Sequence, residues 1–555
     1  MTDSAPKYAI GIDFGTSSAR TLLLDLVSGE EAALCELPYA HGVIDTTLPT
    51  TGERLDADWA LHDPDDYISL LERGIAQVLC AVPGAARHVI GIGLDATCCS
   101  VLPVTADGVP LSRIEPWRGH PHAWLKLWKH HAPAHIASRL SHVAAERREP
   151  FLARSGGQVS SEWYFPKIIE TWLEDRPVYD AAAYFVEVTD WLVWYLCGRL
   201  RRAASPAAYK ALWSAEDGLP PDSFFAAAFP GFGPPDQKLG RDFYQLGTPA
   251  GRIRPELAAK LGLPSAITIA VGNIDAFAAL PGAGVQGPGS FFMAIGTSAC
   301  DLVVHDKQIP LSGITGVAKD GIIPGLYGYE AGEAATGDML GWFARTMAPA
   351  SDTAELLAEL ETRAAKLAPG ETGLVALDWW NGNRSILADA DLSGTIVGLT
   401  LQTGPAEIYR ALLEAIAFGN TVILNNFRQA GFEFSEIVAC GGIAEKSPVL
   451  MQLIADVSGM PLSVSAATEV TARGAALFGA VAAGAFPDIS SAARALRPAT
   501  AHRYSPDRQA GTVYRQVYGI FTALHDTLGR DHAGWLHELK RIKRQMAGAA
   551  SHVRL

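Results

Sequence analysis

The stretch GIDFGTSS, residues 11–18, decides the fold prediction. It stands between the apolar runs KYAI and ARTLLLDL, so residues 7–26 predict two β-strands joined by a turn of small residues. The first strand ends at Asp13, whose carboxylate would leave the sheet in a position suited to hold Mg²⁺ through water. The turn offers backbone N–H groups and hydroxyls to a phosphate, and its residues are Gly15, Thr16, Ser17 and Ser18. A hairpin turn of this composition needs no ligand, so the segment alone leaves both interpretations open.

The same pattern returns about half a chain later in SFFMAIGTSACDLVVHD, residues 290–306. An apolar strand, a Gly-Thr-Ser turn and a second apolar strand follow one another again, with Gly296 and Thr297 in the turn. Two phosphate-binding hairpins can close on one polyphosphate from opposite sides. The duplication therefore predicts an α/β protein with two similar lobes that face each other across a central cleft.

A third glycine pair lies in VACGGIAEKS, residues 438–447, between an apolar strand and a helix pattern. Gly441 and Gly442 lack side chains, which leaves room for a flat base or ribose. Any turn from a strand to a helix can use two glycines, so the pair means little by itself. Because it follows the two hairpins in order, we expect it to contact a nucleotide.

The length of 555 residues exceeds what one hydrophobic core usually supports, so two large lobes are expected. We place them at residues 1–286 and 287–490, with the boundary in the turn-rich PGAGVQGPG and a helical tail at 491–555. The net charge is −14, and no basic tract of the kind that anchors a nucleic-acid backbone is present. The basic end of the tail, KRIKRQM, fits a solvated helix face better than an RNA-binding patch.

Membrane insertion and secretion are not indicated either. The first residues show neither the basic region nor the long apolar region of a signal peptide. The richest apolar run, GAALFGAVAAGAF from Gly474, is shorter than the roughly 18 to 20 residues that span a bilayer and predicts a buried helix. The seven cysteines show no paired CxxC spacing, which predicts reduced thiols. We expect a cytoplasmic protein without membrane or nucleic-acid partners, and a homodimer is the assembly left open.

The ordered set GIDFGTSS, IGTS and CGGIAEKS resembles the actin-like (ribonuclease H-like) ATPase architecture. Over nearly the whole chain the sequence resembles the FGGY carbohydrate kinases, in FPKIIETWL and very specifically in GTIVGLTLQTGPAEIYRALLE. Within that family, GLDATCCSVLP, YKALW, GNIDA and GYEAGE are similar to the bacterial L-ribulokinase branch. The resemblance implies ATP- and Mg²⁺-dependent phosphorylation of a small ketopentose, with L-ribulose favoured. A D-ribulose or ribitol kinase and a non-catalytic actin-like nucleotide sensor are the alternatives.

The acceptor for the sugar hydroxyl's proton should be a carboxylate near the lobe boundary, because phosphoryl transfer needs an oriented nucleophile more than a strong base. Asp275 in AVGNIDAF fits, and an N-terminal helix cap is the alternative role. The resemblance places the general base at Asp275 and ATP contact at Ser447, where relatives carry Asn. It also places sugar contacts at Ala96, Lys210, Asp275 and Glu330. Without the family resemblance, Lys210 and Glu330 would be interpreted as surface charges.

Overall fold

The apolar runs around Asp13 form the middle of a β-sheet in the computed structural model, which describes residues 6–348 and 352–552 and their side chains up to Met546. The strands of this half are β1 (Tyr8–Phe14), β2 (Ser18–Asp25), β3 (Glu31–Pro38), β4 (Leu61–His62), β5 (Val89–Ala96), β6 (Val101–Val104), β7 (Leu125–Lys126), β8 (Tyr184–Glu187), β9 (Arg202–Ala203), β10 (Phe243–Tyr244), β11 (Pro249–Arg252), β12 (Thr268–Ala270) and β13 (Asn273–Ile274). Seven of them form one sheet in the order β11-β12-β5-β1-β2-β3, with β13 also beside β5. The expected hairpin is confirmed, because β1 pairs antiparallel with β2.

Helices fill the intervals between the strands of this half. They are α1 (Pro64–Ala81), α2 (Ala134–Arg147), α3 (Tyr164–Glu174), α4 (Arg176–Ala181), α5 (Val188–Cys197), α6 (Ala204–Lys210), α7 (Asp222–Ala228), α8 (Asp236–Leu239), α9 (Pro255–Leu261) and α10 (Asp275–Gly282). At the start of α1, Asp63 accepts a hydrogen bond from Asp65 N, and Pro64 occupies the first turn. The buried face of α1, which includes Tyr67 and Leu71, then packs into the core.

A second seven-stranded sheet is built by the C-terminal half. The strands of this half are β14 (Ser290–Ile295), β15 (Ala299–His305), β16 (Gly316–Lys319), β17 (Tyr327–Ala331), β18 (Val375–Leu377), β19 (Thr395–Val397), β20 (Glu436–Cys440), β21 (Leu462–Ser465) and β22 (Thr500–Tyr504). The sheet order is β16-β17-β15-β14-β20-β21-β22. As β1 does in the first sheet, β14 pairs antiparallel with the next strand, β15, and parallel with a later one, β20. The predicted second hairpin is therefore confirmed.

The helices of the C-terminal half are α11 (Gly337–Met347), α12 (Thr353–Ala364), α13 (Pro405–Gln429), α14 (Gly442–Lys446), α15 (Pro448–Ser458), α16 (Val470–Ala482), α17 (Ile489–Ala495), α18 (Arg508–Asp526) and α19 (Ala533–His552). The helix that follows GTIVGLTLQTG is α13, which continues to Gln429 and is buried along most of its length. The predicted tail, residues 491–555, is mostly helical, but it also contains β22, which pairs with β21 and so belongs to the second sheet. In the part of the chain with described coordinates, no helix has the length and apolar character required to cross a membrane.

The two halves are joined where α10 crosses α16, the buried helix predicted from its small residues. A Cβ on Gly282 would lie 1.8 Å from the carbonyl oxygen of Val470, and one on Gly474 would lie 1.8 Å from that of Ala278. Only glycine permits backbones to approach so closely. On its other side α16 packs against β1 and β5. A helix from the C-terminal half therefore rests directly on the N-terminal sheet.

Candidate active site

Three aspartates converge at one edge of the first sheet. Parallel pairing of β1 with β5 places Asp13 beside Asp95, and pairing of β13 with β5 places Ile274 beside Ala96. Asp275 follows Ile274 directly and begins α10. Because the carboxyl ends of parallel strands meet at the same edge of a sheet, binding sites commonly lie there. The topology thus gathers carboxylates at the place where a ligand would enter.

The electrostatics of this edge favour a bound cation. Burial raises the pKa of Asp13, although Asp95 and Arg20 lower it, and Arg20 Nη1 lies 3.3 Å from Asp13 Oδ2. Burial and the charge of Asp13 raise the pKa of Asp95 well above its usual value, and both carboxylate oxygens of Asp95 lack a hydrogen-bond partner. No group of three or more His, Cys, Asp or Glu side chains with the arrangement of a complete metal site occurs among the described residues. Mg²⁺ in kinases takes several ligands from water and phosphates, so one or two carboxylates fit it.

Asp275 has the surroundings of a proton acceptor. Its side chain is partly buried, and its Oδ1 accepts a hydrogen bond from the adjacent Ala276 N at 2.7 Å. It does not act as the helix cap that the sequence left open, because the capping position of α10 is Ile274 and carries no side-chain hydrogen bond. Burial, followed by the charge of Asp13, raises the pKa of Asp275 to about 7. A carboxyl that titrates near neutral pH is suited to general-base chemistry.

Lys210 and Glu330 form an ion pair between the two halves. Lys210 ends α6, and its Nζ lies 3.1 and 2.8 Å from the two carboxylate oxygens of Glu330 on β17. Both side chains are largely buried, so neither is a surface charge. Burial opposes the charge of Lys210, but Glu330 and nearby thiols raise its pKa well above the usual value. α6 also contacts β13, which Asp275 directly follows, so the pair lies near Asp275, whose pKa it influences.

The second hairpin presents an open cradle. Gly296 N donates to Ser298 O at 2.9 Å, and the turn is anchored from behind by Thr336, which bonds to the carbonyl oxygens of Gly296 and Thr297. A Cβ on Gly296 would meet no atom within 4 Å, and the same is true of Gly442 in the neighbouring turn after β20. Space and exposed backbone of this kind fit a phosphate group.

Other predicted nucleotide residues are committed to the fold. Gly441 is held at a φ of +97°, and a Cβ there would lie 2.5 Å from Ile295 O, so this glycine is required for packing. In the first hairpin, Gly15 N donates to Ser18 O, while the hydroxyl of Ser18 donates to Glu36 at 2.7 Å.

Two hydroxyls outside the cradle also have protein partners. Thr16 accepts a hydrogen bond from the indole of Trp128 at 3.0 Å. Ser447 is buried, caps α15 and donates to Glu361 at 2.9 Å. Ser17, by contrast, is exposed. Of these residues, Ser17 is the one whose side chain the structure leaves exposed to a ligand.

Comparison with known proteins identifies the family. A sequence profile described as the FGGY family of carbohydrate kinases, C-terminal domain, matches residues 292–483. A ribulokinase of Shouchella clausii is 43% identical over 98% of this chain and 100% of its own length. The chain belongs to the FGGY family of carbohydrate kinases. A ribulokinase of Anoxybacillus flavithermus is 44% identical over 97% of each chain.

Solved structures of similar shape agree with this assignment at the level of the fold. A xyloylose kinase from Brucella ovis has a TM-score of 0.79 at 20% identity and covers 94% of this chain and 99% of its own. Plasmodium falciparum glycerol kinase with ADP has a TM-score of 0.75 at 17% identity, with 94% and 98% covered. The expected α/β architecture of two actin-like lobes is confirmed for this FGGY kinase.

Three charged residues near the site of this FGGY kinase were not found from the sequence. Arg20 contacts Asp13, Glu36 and, through its Nε at 3.1 Å, Glu469 at the start of α16. Asp95 lies one residue before the end of its strand in GLDAT, as Asp13 does in GIDFG, so the signal that selected Asp13 was present there too. Arg20 and Glu469 are 449 positions apart in the chain (469 − 20), and no local pattern connects them.

Proposed function

We propose that this FGGY kinase transfers the γ-phosphoryl group of ATP to the terminal hydroxyl of L-ribulose, giving L-ribulose 5-phosphate and ADP. The observation that carries the proposal is the similarity to ribulokinases at 43% and 44% identity over nearly the full chain. The grouping of Ala96, Lys210, Asp275 and Glu330 supports it, because these positions supply a small wall, a cation, a base and an acceptor to one small polar ligand.

Asp275 performs the proton transfer in this proposal. Its carboxylate accepts the proton of the sugar hydroxyl while that oxygen forms a bond to the γ-phosphorus and the bond from the γ-phosphorus to the bridging oxygen of ADP breaks. Lys210 donates hydrogen bonds to sugar oxygens, and Glu330 accepts them from sugar hydroxyls. The absence of a long side chain at Ala96 allows the sugar to approach β5.

The two hairpins hold the nucleotide. The backbone of Gly296, Thr297 and Gly442 borders the open cradle and binds phosphate and ribose, and the first hairpin approaches from the other lobe. Asp13 and Asp95 would hold Mg²⁺, which when bound neutralises charge on the transferring phosphates.

Residues 1–286 act as the sugar-binding lobe, residues 287–490 as the nucleotide-binding lobe and residues 491–555 as a helical tail. We place the reaction in cytoplasmic breakdown of L-arabinose.

A panel of pentuloses and pentitols tests the sugar assignment. ADP release is measured with L-ribulose, D-ribulose, L-xylulose, D-xylulose and ribitol, and we expect the highest kcat/KM with L-ribulose. The Asp275→Asn variant is the matched control, because it removes the base without changing side-chain volume. A preference for D-ribulose or ribitol would refute L-ribulose as the substrate but leave the kinase activity in place. ATP binding without ADP release on any sugar would support the non-catalytic sensor.

A further inference from the structure

The last helix, α19, turns an apolar stripe toward solvent. Trp535, Leu539, Ile542 and Met546 are 59%, 63%, 44% and 66% exposed. They follow one another at spacings of four, three and four residues, which is the repeat that lines one seam of a coiled coil. Single exposed apolar residues are ordinary, but a continuous stripe along one side of a helix marks an interaction surface.

The opposite side of α19 attaches the helix to its own protein. Leu536 belongs to the core of the C-terminal half. His537, Lys540 and Arg544 bond to residues 389–391 at 2.7, 2.7 and 2.6 Å. With 3.6 residues per turn, the centre of this attached side lies roughly 140° around the helix axis from the centre of the stripe. The stripe therefore points away from the body of the protein, where a partner has free access.

The charges on either side of the apolar stripe indicate which partner fits it. Glu538, which also pairs with Arg541 of its own helix, lies along one edge and Lys543 along the other, and both are exposed. When two identical helices pair in parallel, a residue on the edge that carries Glu538 lies opposite a residue of the partner helix. That partner residue is five positions later in the sequence, on the edge that carries Lys543. Glu538 would thus meet Lys543 of the other helix twice, once on each side. We propose that α19 pairs in parallel with α19 of a second copy of this chain and that the stripe forms the seam of a homodimer.

A membrane surface fits this helix less well. A helix that lies on an anionic bilayer carries cations along both borders of its apolar face. Here the borders have opposite signs, and Lys540 and Arg544 are turned toward residues 389–391. The stripe covers only about three turns, which is short for an isolated coiled coil. Because α19 is already folded against its own protein, however, pairing does not have to order it.

The first test is the oligomeric state of the full-length protein, measured by sedimentation velocity over a wide range of concentrations. We expect a dimer for the native chain and a dissociation constant raised at least about tenfold for Leu539→Asp. Leu173→Asp is the matched control, because Leu173 is also exposed, at 48%, but lies on α3. A native protein that stays monomeric, or a dimer that Leu539→Asp does not weaken, would overturn the proposal.

The second test addresses the parallel register. Glu538→Lys and Lys543→Glu should each weaken the dimer, because like charges then meet across the seam, and the double variant should restore it. A double variant no stronger than the singles would refute the parallel pairing. Vesicles of anionic phospholipid are added to the native protein in parallel. Binding to vesicles by a protein that does not self-associate, lost in Leu539→Asp, would assign the stripe to a membrane surface instead.

Discussion

The substitution Asp275→Asn should separate catalysis from stability. The carboxyl of Asp275 lies in the fold at a site where burial and Asp13 raise its pKa from 3.8 to about 7. At alkaline pH the folded protein must therefore keep a charge that its surroundings disfavour. An uncharged amide of the same size removes that penalty and also removes the proton acceptor. We expect the variant to be more stable than the native protein at alkaline pH while its turnover falls about 10²- to 10⁴-fold.

The size and sign of the stability gain follow from proton linkage. A pKa raised in the folded state makes a contribution to stability that is present below the unfolded value, near pH 4, and is lost as the pH rises through about 7. The full difference in the free energy of unfolding between the variant and the native protein would be about 4 kcal/mol at most, because a pKa shift of one unit corresponds to about 1.4 kcal/mol. Partial solvent access of Asp275 reduces this, and we expect about 1–3 kcal/mol. The difference in stability between the variant and the native protein should therefore grow as the pH rises from about 4 to about 7.

Scanning calorimetry at about pH 5 and about pH 8 measures this gap, because about 1 kcal/mol shifts the Tm of a lobe of this size by about 2 °C. Asp107→Asn is the control, since Asp107 is exposed in a turn and its replacement should leave Tm nearly unchanged at both pH values. A Tm difference for Asp275→Asn that is the same at both pH values would refute the raised pKa. Normal turnover would refute the assignment of the base, and failure to fold would give Asp275 a structural role.

Further predictions concern the nucleotide, the metal, the pH profile and lobe motion. Gly296→Ala should fold normally, because its Cβ meets no atom within 4 Å, but calorimetry should show that it binds ATP and ADP about tenfold or more weakly. Gly441→Ala should be less stable than the native protein, because its Cβ would overlap Ile295 O. Asp13→Ala should raise the Mg²⁺ concentration required for half-maximal rate, and an unchanged titration would remove Asp13 from the site. Glu330→Gln should lower the pKa of Asp275, because it removes the charge of Glu330, which raises that pKa, and leaves Lys210, which lowers it. The acid side of the pH profile of kcat/KM should then move to lower pH, and an unchanged profile would contradict this. L-Ribulose with a non-hydrolysable ATP analogue should reduce the radius of gyration in small-angle scattering, and an unchanged radius would indicate a preformed cleft.

The hairpins and major helices could be predicted from the sequence because their signals are local. Glycine turns between apolar runs located β1, β2, β14 and β15, and the run of small apolar residues from Gly474 located α16. The grouping of the sugar-site residues was different. Periodicity and spacing gave no reason to join Lys210 with Glu330, which is 120 positions away, and only the family resemblance placed them together.

What the sequence did not reveal depends on contacts between distant parts of the chain. The sequence predicted a helical tail but not β22, a five-residue strand whose residues are mostly exposed, so that it carries little alternation of apolar and polar positions. Arg20 is explained only once α16 brings Glu469 beside the first hairpin. Tertiary packing, which local propensity does not encode, decides such elements.

The contact between α10 and α16 also constrains how the two lobes can move. At Gly282 and Gly474 the helix backbones touch, and close-packed surfaces of this kind do not slide without steric overlap. We predict that the lobes close by a rotation around this crossing and that residues 283–289, where Gly284 and Gly289 have positive φ, absorb the change. Opening would separate Lys210 from Glu330, the same pair proposed to bind the sugar. A bound sugar offers hydroxyls to both charges and stays between them as the lobes close. We expect closure around the sugar to exclude water, which favours the sugar hydroxyl over water as the phosphoryl acceptor.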